Sequence, residues 1–147
     1  MKGLIINGPN LNMLGKREKE HYGSLTLKEI NNLIKNEFPN VSFKFFQSNY
    51  EGAIIDRLQN LKGYDFLVIN PGALAHYSVA LRDAFMLVKI KKGVCHLSNI
   101  EEREEFRKID LLKDLADVYV CGLKEKSYIE VIKKIINIKA TGKDVKP

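Results

Sequence analysis

Apolar residues along this chain fall into two alternating patterns. Leu4-Ile5-Ile6 and Phe66-Leu67-Val68-Ile69 are unbroken apolar runs, the composition of strands buried on both faces. Between such runs, apolar residues recur every three or four positions. Leu27, Ile30, Leu33, Ile34 and Phe38 share one helical face. Ile54, Ile55, Leu58 and Leu61 do so within a helix predicted from Glu51 to Leu61. Leu81, Ala84, Phe85 and Val88 do so from Ser78 to Val88, and Tyr128, Ile132, Ile135 and Ile136 from Lys126 to Ile138. Val41 to Phe46 alternates and reads as a strand, and Val94 to Leu97 and Val118 to Val120 read as two more. Thr26-Leu27-Lys28-Glu29 is a capping box that opens the first helix, and Pro39 stops it.

Strands alternating with helices predict a doubly wound α/β fold with a five-stranded parallel sheet. At 147 residues the chain has the length of one domain, 1–147, and the flavodoxin-like strand order 2-1-3-4-5 is the expected topology. Residues 140–147 are polar and carry a glycine and a terminal proline, so a frayed tail is expected there.

Polar residues are unevenly shared between the two ends of this sheet. The first strand runs into Asn7-Gly8-Pro9-Asn10 and the second into Gln47-Ser48-Asn49. The third runs into Asn70-Pro71-Gly72-Ala73, with His76 just beyond, and the fourth carries His96 and Ser98-Asn99. The opposite loops hold only generic turn residues: Pro39-Asn40, Lys62-Gly63 and Lys91-Lys92-Gly93. Ligands in such sheets bind beyond the carboxyl ends of the strands, which is where the amides, hydroxyls and imidazoles collect. The connection after the first strand, Asn7 to Ser24, is unusually long, with three asparagines, three glycines and a cationic stretch at Lys16-Arg17 before His21-Tyr22. A long aperiodic loop at that edge is more often functional than idle.

Composition narrows the chemistry. No apolar run approaches the ~20 residues that span a bilayer. The first ten residues hold one lysine and an apolar run too short for a signal peptide, so a cytoplasmic protein is expected. Cys95 and Cys121 lie in strand-like runs without metal-ligand spacing, which reads as two buried free thiols and no metal site. The net charge of +6 comes from scattered lysines without a basic stripe of interleaved aromatics. That favours a solvated surface and a small anionic substrate over nucleic acid. There is no phosphate-binding glycine loop, no acidic cluster at the strand ends and no nucleophile elbow.

What remains at the polar edge is Asn10, Arg17, Tyr22, Asn70, His76, His96, Ser98, Arg103 and Arg107. Neutral donors, cations, a phenol and two imidazoles suit an anionic, hydroxylated substrate and proton-transfer chemistry. Each residue alone has a plainer reading. His96 fits a satisfied core histidine, Tyr22 fits loop packing, and Arg103 and Arg107 fit charge pairs within Glu101 to Arg107. A non-catalytic α/β module that binds a small anionic ligand remains the alternative.

The segments GPNLNMLGKRE, YGSLTL, FFQSNYEG, INPGALAHYSVALRDA and HLSNIEEREEFR resemble the type II 3-dehydroquinate dehydratases, in order from Leu4 to about Gly122. The resemblance implies a cofactor-free, metal-free enzyme built as a dodecamer of four trimers. It implies removal of water from 3-dehydroquinate to give 3-dehydroshikimate, in chorismate biosynthesis or quinate breakdown. Carried over by motif, Tyr22 is the base at C2, Arg17 its activator, Asn10 the holder of the water that stabilises the enolate, and His96 the general acid. Asn70, His76, Asp83, Leu97, Ser98 and Arg107 are substrate contacts, with Asp83 reaching a neighbouring subunit's site. Four places depart from the family pattern. Val94 replaces the glutamate two residues before the histidine, so the resemblance leaves His96 without the carboxylate that orients it. Glu101 stands where a histidine is usual, Ala75-His76-Tyr77 replaces Thr-His-Thr, and Lys108-Ile109-Asp110 replaces Arg-His-Ser.

Overall fold

A computed structural model describes residues 1–142. Strand β1 spans Lys2–Asn7 and is followed by a short helix α1, Lys19–Tyr22. Helix α2 (Leu27–Glu37), β2 (Ser42–Gln47), α3 (Glu51–Leu58) and β3 (Phe66–Asn70) come next. Then come α4 (Val79–Met86), β4 (Lys91–His96), β5 (Val118–Cys121) and α5 (Lys126–Thr141). The five strands form one parallel sheet in the order β2-β1-β3-β4-β5, the flavodoxin-like topology expected from the alternation.

The period of two along each strand divides the core. Ile5, Phe66 and Val68 face α2 and α5, where they meet Ile30, Ile34, Val131, Ile132 and Ile135. Leu4, Ile6, Leu67, Ile69 and Val94 face α3 and α4 and meet Ile54, Leu58, Leu81 and Phe85. Burial on both faces is why β1 and β3 carry unbroken apolar runs. The capping box forms as expected. The Thr26 hydroxyl accepts from the Glu29 N–H at 3.2 Å, and Glu29 Oε1 accepts from the Thr26 N–H at 3.0 Å.

Several boundaries differ from the sequence reading: α3 ends at Leu58 rather than Leu61 and α4 at Met86 rather than Val88, and three differences go further. The first is β4, which begins at Lys91, so Lys91-Lys92-Gly93 is strand rather than loop. Lys92 is buried with its ammonium donating to the carbonyls of Phe85 (2.7 Å) and Val88 (3.1 Å) at the end of α4. Gly93 lies under α5: a Cβ there would come within 2.7 Å of both Val131 and Ile135, so the helix seats directly on the strand backbone. The second is the region between β4 and β5, which folds into 3₁₀ turns at Ile100–Glu102, Glu105–Arg107 and Lys113–Leu115. The third is α5, which runs to Thr141 with Gly142 as its left-handed cap at φ 70°. The expected frayed tail therefore overlaps helix at 140–141, and 143–147 lie outside the described residues. Cys95 is buried and Cys121 half-buried, and both thiols are free. Among the described residues no helix is long and apolar enough to cross a membrane.

Candidate active site

The strand register brings the polar ends together. Asn7 of β1 lies opposite both Gln47 and Asn70, which makes a polar row at the carboxyl edge of the sheet. Beneath it is a buried network. The Tyr128 hydroxyl of α5 donates to Asn7 Oδ1 and accepts from Asn70 Nδ2 at 3.0 Å, and Asn70 Oδ1 accepts from the Gly72 N–H at 3.2 Å. Burial holds the Tyr128 phenol protonated, so it remains a donor. The loops after β1 and β3 touch backbone to backbone: a Cβ on Gly8 would lie 2.5 Å from the Pro71 carbonyl oxygen. Asn49 braces Asn10 from the end of β2, its Oδ1 accepting from the Asn10 N–H at 3.0 Å.

The long loop after β1 is pinned at Leu11, Leu14 and Tyr22, all buried in the core on the α2/α5 side. Tyr22 ends α1 and is 7% exposed. Two guanidinium groups serve its ring. Arg17 stacks on the face, 3.7 Å from guanidinium carbon to ring centroid. Arg103 donates from Nη1 to the phenol oxygen at 2.6 Å. The resemblance names Arg17 as the cation of the base, but the cation on the oxygen is Arg103. Arg103 Nε also lies 3.7 Å from the Glu104 carboxylate, and Arg107 pairs with Glu104 at 3.0 Å. The local charge pairs read from the sequence thus exist alongside the pocket contacts.

His96, at the end of β4, is not without a carboxylate. Its Nε2 is 2.6 Å from Asp110 Oδ2, with the side chains 6% and 1% exposed. The His76 ring stacks near that of His96, centroids 6.4 Å apart and planes at 15°. His76 Nδ1 donates to the Ile109 carbonyl at 2.7 Å. Burial lowers the His76 pKa, opposed by that carbonyl bond, and the nearby His96 lowers it further.

These groups line one cleft of about 100 Å³, on the scale of a small molecule. Asn10, Arg17, Tyr22, Asn70, His76, His96, Leu97, Ser98 and Arg107 all face it, and so does Arg103. Its lining includes three arginines and no carboxylate, which suits an anionic ligand. Asp83 is the one predicted contact outside it, exposed on α4. No group of acidic, histidine or cysteine side chains among the described residues could hold a metal ion. Sequence reasoning placed Arg103 among the polar-edge candidates but not on the Tyr22 oxygen, and it met Asp110 only within the departure Lys108-Ile109-Asp110, not as the partner of His96.

The family model "Dehydroquinase class II" matches residues 1–136. A relative from Chlorobaculum tepidum, named 3-dehydroquinate dehydratase, is 49% identical over 128 residues, covering 85% of this chain and 86% of the relative. One of the same name from Thermotoga neapolitana is 46% identical over 140 residues, 92% of this chain and 96% of its own. The solved type II dehydroquinase from Butyrivibrio crossotus superposes with a TM-score of 0.89 at 45% identity, covering 92% of this chain and 97% of that one. The topology is therefore shared with a solved relative matched over most of its length, and the chain belongs to the class II dehydroquinase family.

Proposed function

We propose that the chain is a 3-dehydroquinate dehydratase working by stepwise acid–base elimination. The carrying observation is the buried phenol of Tyr22 held between two guanidiniums, in the same acid-free cleft as the imidazole of His96. Tyr22, as phenolate, takes the proton from C2, beside the substrate ketone. Breaking that C–H bond leaves an enolate, so charge develops on the ketone oxygen. A water held by Asn10 donates there, which stabilises the transition state more than the ground state. Collapse of the enolate forms the new double bond and breaks the bond from C1 to its hydroxyl. His96 donates the proton that turns the hydroxyl into water; Tyr22 then releases the C2 proton to solvent and His96 takes one up, which restores both groups. Every step moves a proton, so the reading calls for no cofactor.

Arg107 and the Leu97-Ser98 pair take the carboxylate and hydroxyls of the substrate, and Asn70 and His76 take the remaining oxygens. Asp83 serves the pocket of a neighbouring subunit in a dodecamer of four trimers. Its exposure outside its own cleft supports that assignment.

The test follows the enone absorbance of the product with purified protein and 3-dehydroquinate. Turnover is expected for the wild type. Tyr22→Phe and Arg17→Ala are expected to lose it while still binding substrate by calorimetry. Absence of wild-type turnover at micromolar protein refutes the activity. Wild-type kcat in Tyr22→Phe refutes the assigned base.

A further inference from the structure

We propose that Asp110 is the positioning carboxylate of the acid His96, fixing its ring and assigning the reacting proton to Nδ1. This rests on the reading of His96 as the acid. Asp110 lies between the 3₁₀ turns Glu105–Arg107 and Lys113–Leu115. Its Oδ2 meets His96 Nε2 at 2.6 Å, and its Oδ1 accepts from the Leu112 N–H at 2.9 Å, so both oxygens are engaged. A carboxylate 1% exposed is retained only where a partner compensates its desolvation, and the imidazole is that partner.

The segment holding Asp110 is itself anchored. The Leu111 N–H donates to the Ala75 carbonyl at 2.8 Å, tying it to the loop after β3. The Ile109 carbonyl takes His76 Nδ1 at 2.7 Å. Two consecutive residues therefore hold both imidazoles of the cleft. Rotation about χ2 of a histidine is soft and roughly two-fold, so an unheld ring would sample both faces. With Nε2 donating to Oδ2, Nδ1 is the nitrogen left to give a proton to the leaving hydroxyl, and Asp110 is the counter-charge of the imidazolium. Tyr119, the remaining polar ring against this pair, does not compete as an acid: burial, then the Asp110 charge, keep its hydroxyl protonated.

Two measurements test this. In wild-type protein, long-range ¹H–¹⁵N spectra of the neutral His96 ring are expected to show the proton on Nε2. A proton on Nδ1 overturns the proposal, whether or not any variant folds. In Asp110→Asn, the amide can donate to the ring but cannot accept from it through the same atom, which favours the wrong tautomer. There kcat for dehydration is expected to fall at least about 100-fold with KM within about threefold. Exchange of the C2 proton with deuterium from solvent, which needs only Tyr22, is expected to continue. Asp110→Glu, which restores a carboxylate, is expected to recover at least about tenfold in kcat over the asparagine variant. Dehydration and exchange falling together, or kcat unchanged in Asp110→Asn, overturns the proposal. If wild type shows neither dehydration nor exchange, the proposed function fails instead, and the tautomer measurement still decides the role of Asp110.

Discussion

Arg103→Met isolates the electrostatics of the base. Methionine keeps much of the length and apolar bulk of a side chain that is only 9% exposed, and removes the charge and the bond to Tyr22. A hydrogen bond to a charged group contributes about 1.5–3 kcal/mol, and at 2.6 Å the Arg103 bond is a short member of that class. Arg17 stacks on the ring face and makes no bond to the phenol oxygen, so Arg103 has the larger share of the stabilisation. Its removal is therefore expected to lower kcat at pH 7 by about 10- to 150-fold. The assay is kcat at pH 7 by enone absorbance, with folding checked by circular dichroism. A variant within threefold of wild type at pH 7 refutes the role of Arg103, on the scale of about 0.7 kcal/mol.

Two further outcomes follow from buried groups. Tyr128→Phe removes the hydroxyl that bridges Asn7 and Asn70, leaving carboxamides 1% and 2% exposed with a lost partner. It is expected to cost about 1–3 kcal/mol in urea unfolding and to raise KM through Asn70, with kcat less affected. Val94→Glu places a carboxylate where the side chain is 0% exposed among Leu4, Ile6, Ile69 and Phe85. It is expected to lower Tm and cost several kcal/mol without raising kcat, because Asp110 already occupies the acceptor position on His96. A rise in kcat in Val94→Glu would show that the Asp110 contact leaves the acid incomplete.

The centre of the sheet was legible because β1 and β3 are buried on both faces, which removes polar residues from Leu4-Ile5-Ile6 and Phe66 to Ile69 alike. The helices were legible for the complementary reason, that each shows one face to the sheet. Strand β4 was misread at its start because two rules failed at neighbouring positions. Lys92 is a charge inside the fold, tolerated because its ammonium reaches the open carbonyls at the end of α4. Gly93 resembles a turn residue but is there because α5 leaves no room for a Cβ. The carbonyls lie only four and seven residues before Lys92 but are open because α4 ends there, and the helix over Gly93 is remote in sequence. The 3₁₀ segments from Ile100 onward satisfy their backbone within three residues and bury little, so they impose no apolar period on the sequence.

The same distinction separates the site residues that were found from those that were not. Asn10, Asn70 and His96 stand at strand ends, and a parallel sheet gathers strand ends at one edge whatever the loops do. Topology alone was enough to bring them together. Arg103 reaches the cleft, and Asp110 reaches the histidine that lines it, from the aperiodic segment, and their partners Tyr22 and His96 lie 81 and 14 residues away. In sequence, Arg103 has acidic neighbours that explain it cheaply, and one of those pairs does form. The expectation that His96 lacks a carboxylate had a similar origin. It looked along the strand, where period two puts position 94 on the histidine's own face, and found valine. A buried imidazole needs only an acceptor within about 3 Å, and nothing requires that acceptor to share its strand. The segment between β4 and β5 packs across the loop after β3, tied to Ala75 and His76, and so carries Asp110 to His96 from the other side. An orienting group is therefore defined by where it arrives in space, and its loss from one sequence position does not establish its loss from the site.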